Sequence, residues 1–376
     1  MDFNLTNDQL YLKKSVIEFS KLHVGGKSGT YDFKEYWKRC AEFGLFSMAG
    51  ESCEPEGSVD PLSLMVAIEA LGYGCKDNGF VFAINNHIFA CQLLIQKYGS
   101  SEQKDKYLPR LQSGDLIGAH AMTEAGSGSD SFQMRTTARL EGDSYVLNGS
   151  KLFVSNAPIA DVFIVFAKTG EGSASQNVSA FIVEKGFPGF SVGNSIAKMG
   201  LKSSPISELI FNDCKVPVEN LLLNAGSGFF VFNTAVEYER AYIFAANLGA
   251  MKRNYESVLD YVKNRRQFGV PIAQFQSISH KIADIRVQIE VCELLLYKIG
   301  WLKSTGQSSF YEASMAKLLI SESYVKEMLN ILQMYGAYGY MEEYGIEEEL
   351  RDALASTIYS GTSEIQRNII ASWCGL

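Results

Sequence analysis

The sequence predicts an α+β chain in which a block of strands separates two helical blocks. Two patterns carry that reading. Apolar residues recur at helical spacing before about residue 115 and again after Ser227, whereas short β-branched and aromatic runs between turns fill the stretch between. Blocks segregated in this way argue against a β-α-β-α alternation.

The chain has 376 residues, 47% of them hydrophobic, enough for two or three domains with a large core. The boundaries expected from the pattern are 1–115 (helical), 116–218 (strands) and 219–376 (helical). In the first block Asn7 opens a capped helix, and Leu62–Leu71 and Asn86–Tyr98 follow as amphipathic helices. In the second, Ser144–Leu147 precedes Asn148-Gly149, which reads as a hairpin turn. Lys151–Ser155, Val162–Lys168, Val178–Val183 and Glu208–Phe211 are further strands. In the third, Phe229–Arg266, Ser277–Lys303 and Tyr311–Gly336 are long helices.

A net charge of −8 disfavours nucleic acid as a partner, since phosphate backbones select basic surfaces. The first residues lack the pattern of a signal peptide, and no window holds the ~18 uninterrupted apolar residues of a membrane span. The cysteines at 40, 53, 75, 91, 214, 292 and 374 are scattered, which argues against a disulfide framework or a metal site. A cytoplasmic protein without membrane attachment is therefore expected. No phosphate-binding P-loop is present, and no G-x-G-x-x-G stands between a strand and a helix.

Five short stretches could carry chemistry. Met122-Thr-Glu-Ala-Gly-Ser-Gly-Ser-Asp130 is a loop of hydroxyls and glycines whose backbone can approach a flat or phosphorylated ligand. Lys151-Leu-Phe-Val-Ser-Asn156 is a strand whose alternation puts Phe153 and Ser155 on one face. Arg265-Arg-Gln-Phe-Gly269 closes a helix, and Gln333-Met-Tyr-Gly-Ala-Tyr-Gly-Tyr340 ends another. Tyr359-Ser-Gly-Thr-Ser-Glu-Ile-Gln-Arg367 enters the last helix, with Thr362 as its cap. Read singly, each is compatible with a surface loop, a core strand or a helix end.

Jointly and in this order they resemble the acyl-CoA dehydrogenase family over essentially the whole chain. The resemblance implies an N-terminal α-helical domain, a middle β-barrel and a C-terminal four-helix bundle. It implies FAD as cofactor, with Met122, Thr123, Gly128, Ser129, Phe153 and Ser155 lining the flavin and its phosphates. Arg265, Phe268, Gln276, Gln333, Gly336 and Ala337 would hold the ADP portion bound to a neighbouring subunit, so a homotetramer or dimer is expected. Thr362 and Glu364 match positions near the cofactor.

One departure bears on mechanism. Most of the family has a glutamate base before the Gly-Thr of the last motif, and this chain has Ser360. A serine cannot take a proton near neutral pH without a partner base. Within Val236-Glu-Tyr-Glu-Arg-Ala241, Glu237 and Glu239 point to nearly opposite faces of a helix. Glu239 lies on a stripe of Phe232, Ala235, Val236, Ile243, Ala246 and Ala250. Glu237 shares a wetter face with Asn233, Thr234 and Arg240. A carboxylate on an apolar face is costly unless it serves a purpose or finds a partner.

The isovaleryl- and long-chain-type members place their base at the position matching Glu239. The resemblance then implies that Glu239 takes the substrate α-proton while a hydride leaves for flavin N5. Ser360 binds the thioester carbonyl through its backbone N–H, and Arg240 flanks the substrate. Met1–Thr6, Asn156–Asp161, Val178–Gly186 and Ser360–Gln366 look most like a subgroup that oxidises L-proline tethered to a carrier protein. The product would be a pyrroline- or pyrrole-carboxyl thioester, and the electron acceptor dioxygen or an electron-transfer protein. The alternatives are a branched- or medium-chain acyl-CoA dehydrogenase, a monooxygenase on the same fold, and a flavin-binding scaffold without catalysis.

Overall fold

The computed structural model describes residues 4–26, 29–49, 59–171 and 176–376. Cys53 and the first three residues of the Met1–Thr6 stretch lie outside them. The helical first block comprises α1 (Asn7–His23), α2 (Phe33–Glu42), α3 (Pro61–Gly74), α4 (Asn78–Asn85), α5 (Leu93–Tyr98) and α6 (Ser101–Gln112). A π-helical stretch, Asn86–Gln92, joins α4 to α5 without a break. The cap of α1 is Thr6, one residue before the expected Asn7. Gln9 N–H donates to Thr6 Oγ1 at 3.2 Å while Thr6 N–H donates to Gln9 Oε1 at 3.0 Å, a reciprocal capping box. The run Asn78–Tyr98 is long and apolar enough to cross a membrane by length and composition alone, but it is mostly buried within the fold.

The middle block is one eight-stranded sheet. Its strands are β1 (Gly118–Ala121), β2 (Thr137–Glu141), β3 (Ser144–Ser155), β4 (Val162–Lys168), β5 (Val178–Glu184), β6 (Phe190–Val192), β7 (Ile206–Pro217) and β8 (Leu221–Leu222). They run β6-β7-β3-β2-β4-β5-β8, with β1 parallel to β4.

Asn148-Gly149 is not the expected hairpin. The chain turns at Gly142-Asp143, where Glu141 pairs with Ser144, and β3 continues straight through Asn148-Gly149. The pair instead forms a bulge against β7. Asn148 Nδ2 donates to Asp213 Oδ1 at 3.0 Å, and Asp213 N–H donates to Asn148 Oδ1 at 2.9 Å. Gly149 sits at φ 137°, where a β-carbon would lie 2.7 Å from Thr136 Oγ1. The dipeptide's tolerance for positive φ is used to bend a long strand.

The last block holds α7 (Gly228–Asn264), α8 (Gln276–Ser304), α9 (Phe310–Tyr335), α10 (Ile346–Ala355) and α11 (Ser363–Trp373). The buried face of α7 crosses α3. At that crossing a β-carbon on Gly249 would lie 2.0 Å from the Glu69 carbonyl oxygen, and one on Gly72 would lie 2.0 Å from that of Ala246. Glu69, buried in α3, accepts from Lys13 at 2.9 Å, Lys252 at 2.8 Å and Tyr297 at 2.9 Å. It thereby ties α1, α7 and α8 together.

Gly249→Ala should force α3 and α7 apart and destabilise the fold by about 3 kcal/mol, as overpacking of a close contact does. Equilibrium urea unfolding measures this, and a midpoint matching the unmodified protein would show that the crossing has slack.

Candidate active site

Glu239 lies about a third of the way along α7, and of its expected stripe Ala235, Val236, Ile243, Ala246 and Ala250 are buried while Phe232 is half-buried. Its carboxylate is 7% exposed. The Ser360 hydroxyl donates to Glu239 Oε2 at 2.7 Å. The two positions singled out by the sequence, 121 residues apart, are therefore in direct contact. Burial pushes the Glu239 carboxyl up to about 6, with the Ser360 hydrogen bond and the Arg240 charge pulling it back.

Glu237 behaves differently. Burial raises its pKa, but the Lys303 ammonium, 2.7 Å from Oε1, and Ser309 Oγ, 2.8 Å away, hold it below its ordinary value. It is a satisfied ion pair.

Arg240 does not share a wet face with Glu237. It is 5% exposed, because α9 and the loop before α11 cover that side of α7. Its Nε donates to the Ser360 carbonyl at 3.1 Å, its Nη1 to Ser314 Oγ at 3.3 Å, and its guanidinium lies 5.5 Å from the Phe310 ring centroid. Arg240 thus grips the loop that carries Ser360. Gln366 grips it from α11, its Nε2 donating to the Ser360 and Gly361 carbonyls at 3.2 and 3.0 Å. These contacts hold Ser360 at φ 55° and Gly361 at φ 90°, a conformation that a serine rarely adopts. Thr362 caps α11, its Oγ1 accepting from Ile365 N–H at 3.4 Å, and Glu364 is exposed in the first turn.

The loop 122–130 is clamped from beneath. Lys151, fully buried on β3, donates to Glu124 at 2.8 Å and to the Met122 carbonyl at 3.1 Å. Glu124 also accepts from Arg135 N–H at 2.6 Å, Thr136 N–H at 3.0 Å and Thr136 Oγ1 at 2.6 Å. Burial raises the Glu124 carboxyl, but these donors together draw it down to about 2. Met122 is buried in one apolar cluster with Val231 and Ala235 of α7, a turn or two before Glu239. Thr123 is half-buried, its carbonyl accepting from Leu152 N–H at 2.8 Å. Ser129 is exposed, and Gly126 and Gly128 have open space where a side chain would be.

Alternation does not hold at Phe153. The register against β7 slips between Lys151 and Val154, and Phe153 has φ 57°. The bulge turns the Phe153 ring outward, 58% exposed, while Ser155 is half-buried. Asn156 Nδ2 donates to the Ala83 carbonyl at 2.9 Å, joining this segment to α4. The Phe82 ring of α4 lies 4.8 Å from that of Tyr359, next to Ser360. An exposed aromatic face, open glycine backbone and the hydroxyls of Thr123, Ser129 and Ser155 suit a conjugated ring with a phosphate tail.

The second expected group lies apart. Arg265 is 26 positions beyond Glu239, where α7 has just ended, which puts it ~39 Å away along the helix axis. Its guanidinium is 5.2 Å from the Tyr338 ring, and the Tyr261 and Tyr335 rings stack at 4.0 Å. That brings Arg265 beside the 333–340 segment, where Gln333, Gly336 and Ala337 are exposed. Phe268 is 92% exposed at φ 53°, and Gln276 is exposed at the start of α8.

The sequence reading assigned no site role to Phe82, Asn85 or Asn247, and it named Tyr359 only as the start of the 359–367 stretch. These line a cavity beside Ile243 and Ala246. Phe82 and Asn85 fall outside the helices read from the pattern, and no motif marks them.

Family models for the acyl-CoA dehydrogenase N-terminal, middle and C-terminal domains match residues 6–115, 119–214 and 226–375. The chain belongs to the acyl-CoA dehydrogenase family, and it is a flavoenzyme oxidoreductase whose cofactor is FAD. It is 40% identical to the L-prolyl-[peptidyl-carrier protein] dehydrogenase of a Serratia species, over all of this chain and 99% of that one. It is 36% identical to a short-chain-specific acyl-CoA dehydrogenase of Clostridium acetobutylicum, over 99% of both chains. Among solved structures, the prolyl acyl carrier protein oxidase AnaB superposes with a TM-score of 0.94 at 39% identity, over 99% of this chain and 100% of that one. PigA with FAD and proline superposes at 0.93 and 38% identity over the whole of both chains.

Lys151→Met should leave the Glu124 carboxylate buried without its cation. Breaking a buried pair from one side costs about 3–5 kcal/mol. The protein should lose both thermal stability and FAD retention, and an unchanged melting temperature with full flavin would show that the clamp is dispensable.

Proposed function

We propose that this enzyme oxidises an L-prolyl group held as a thioester on a carrier protein, with Glu239 as the base. The observation that carries the mechanism is the 2.7 Å contact between Ser360 Oγ and Glu239 Oε2 in a buried apolar stripe. FAD, when bound, supplies the acceptor for the hydride that leaves the substrate carbon.

The Ser360 hydroxyl occupies Oε2 and so leaves Oε1 to face the substrate α-carbon. Burial lifts the carboxyl to about 6, close enough to the operating pH for it to be ionised at rest and basic in the transition state. Ser360 stands where most of the family has its base, and here it orients the base. Arg240 keeps that geometry by fixing the Ser360 carbonyl, which aims the Ser360 backbone N–H as a donor toward the thioester carbonyl.

Met122, Thr123, Gly128, Ser129, Phe153 and Ser155 would hold the flavin end of FAD. The ~39 Å between Glu239 and Arg265 exceeds an extended FAD molecule. Arg265, Phe268, Gln276, Gln333, Gly336 and Ala337 therefore serve a neighbouring copy, in a dimer or tetramer. The carrier-bound prolyl substrate is supported by the likeness to the Serratia dehydrogenase and to AnaB. The likeness to the Clostridium enzyme favours a second reading, a short- or branched-chain acyl-CoA dehydrogenase. Anaerobic flavin bleaching by L-prolyl-carrier protein against a panel of acyl-CoAs separates the two. Faster bleaching by an acyl-CoA would overturn the prolyl reading.

Glu239→Gln should keep FAD but slow flavin reduction by roughly 10²–10⁴-fold, the usual cost of losing a general base. Reduction at the unmodified rate would remove Glu239 from the mechanism.

The pH dependence follows from the same carboxyl. Its folded value of about 6 lies above its ordinary 4.5, so between these values the native state holds a proton that the unfolded chain releases. Stability contributed by this group is full below the lower value and is lost as pH rises through about 6, a change of about 2 kcal/mol. The rate of flavin reduction should rise over the same limb as the base ionises. At pH 8 Glu239→Gln should be the more stable protein, and equal stability of the two from pH 4 to pH 8 would contradict the assignment.

A further inference from the structure

Beside the base lies a cavity of about 10 Å³ between α4 and α7, lined by Phe82, Asn85, Ile243, Ala246, Asn247 and Tyr359 among others. Ile243 and Ala246 are one and two turns beyond Glu239 on the same face of α7. Tyr359 precedes Ser360, whose hydroxyl touches Glu239. The cavity therefore lies on the Glu239 face of α7, beginning one turn beyond the base, and a thioester whose α-carbon faces Glu239 could send its substituents this way.

Val81, Phe82, Leu201, Ile243 and Ala246 make apolar walls, and three amides, Asn78, Asn85 and Asn247, interrupt them with the Tyr359 hydroxyl. Asn78 is engaged, its Nδ2 donating to Glu349 at 3.0 Å and Asp352 at 3.2 Å. Asn247 is engaged, its Nδ2 donating to the Tyr359 hydroxyl at 2.7 Å. Asn85 is fully buried and only half satisfied. Its Nδ2 donates to the Val81 carbonyl at 2.7 Å, while its Oδ1 has no hydrogen-bond partner among the described residues. The Val81 carbonyl can only accept, so the amide nitrogen must face it, and the orientation of Asn85 is settled. A buried amide oxygen that lines the cavity is thus left without a donor among the described residues, at the point where α4 passes into the π-helical stretch Asn86–Gln92. Buried acceptors are nearly always paired, and an unpaired one beside a reaction centre awaits a donor. The cavity is no larger than a single water needs, so nothing bigger than one polar group has to be displaced.

We infer that Asn85 Oδ1 is the acceptor for the ring N–H of the substrate, and that Asn85 separates aminoacyl thioesters from plain acyl ones. This rests on the prolyl reading above. In a prolyl group the nitrogen is bonded to the α-carbon, so holding the α-carbon at Glu239 brings the N–H to the mouth of this cavity. A ring with CH₂ in place of NH fills the same space but leaves Oδ1 buried and unpaired. A site built to bind an N–H rejects an analogue lacking it far more strongly than an apolar site separates two isosteres.

The test uses FAD-loaded protein with L-prolyl and cyclopentanecarbonyl thioesters on the same carrier, following flavin bleaching anaerobically. The unmodified enzyme should prefer the prolyl substrate in kcat/KM by at least roughly tenfold to a hundredfold. Asn85→Leu, which keeps bulk and removes the acceptor, should collapse that ratio by about the same factor. Flavin content and melting temperature establish that the variant is folded. A ratio within about threefold of the unmodified enzyme's would overturn the inference while leaving the prolyl reading intact. If Asn85→Leu does not fold, the unmodified ratio decides alone, and a preference below about threefold overturns it. An unmodified enzyme that bleaches with acyl-CoAs and not with the prolyl thioester overturns both.

Discussion

The crossing of α3 and α7 is the constraint on which the site depends. Gly72 and Gly249 let two helix backbones approach so closely that a single β-carbon on either would strike a carbonyl of the other helix. Helices that close cannot rotate about their axes without a clash, so the azimuth of α7 is set at the crossing. Glu239 lies ten residues before Gly249 on the same rigid helix, and its direction follows from that azimuth. The Glu69 network on α3, reaching Lys13, Lys252 and Tyr297, locks the crossing to α1 and α8. A base must meet its substrate within a few tenths of an ångström, and a long helix pinned at a glycine contact supplies that rigidity.

Buried carboxyls fall into two groups in this molecule, those held down by donors and those raised by burial. Glu69, Glu124 and Glu349 each face cations or several N–H and O–H donors, and each carboxyl is held below its ordinary value despite burial. Arg253 illustrates the pattern, donating to Glu349 at 2.7 Å and to Asn78 at 3.1 Å while binding backbone carbonyls of Gly72 and Cys75. Glu239 has the Ser360 hydroxyl and the Arg240 charge, and its carboxyl is raised, as burial also raises those of Glu327 and Asp352. Ion pairs that are fully satisfied specify packing. A carboxylate given only enough support to remain near neutral pH is suited to moving a proton.

Ser360 shows how a loop can be held in place without help from the side chain it presents. Arg240 from α7 and Gln366 from α11 hold its carbonyl, and neither contact involves the side chain at 360. The backbone conformation is imposed by neighbours, so a serine is carried at φ 55° in spite of its intrinsic preference. Its hydroxyl then reaches the carboxylate on the facing helix. The two positions are complementary, since one carries a buried carboxylate and the other a short donor that leaves room for it.

Much of this was legible in the sequence. The three blocks, the long helices, Thr362 as a cap and the apolar stripe under Glu239 all follow from periodicity and capping chemistry, which are local. The errors were also local rules overruled from a distance. Asn148-Gly149 has the backbone freedom of a hairpin, but Asp213 on the opposite strand turns it into a bulge. Phe153 breaks alternation because the register against β7 slips there. Arg240 reads as a surface arginine until α9 and the 360 loop close over it. Asn85 carried no signal at all, because an asparagine within an apolar run gains meaning only from what lies across the cavity. By itself the sequence determined the elements and the family, and it singled out positions 239 and 360. Only the tertiary structure decided that those positions touch, which arginine holds the 360 loop and that the Asn85 amide oxygen is buried without a partner among the described residues. Those are contacts between residues far apart in the chain, and nothing in local propensity encodes them.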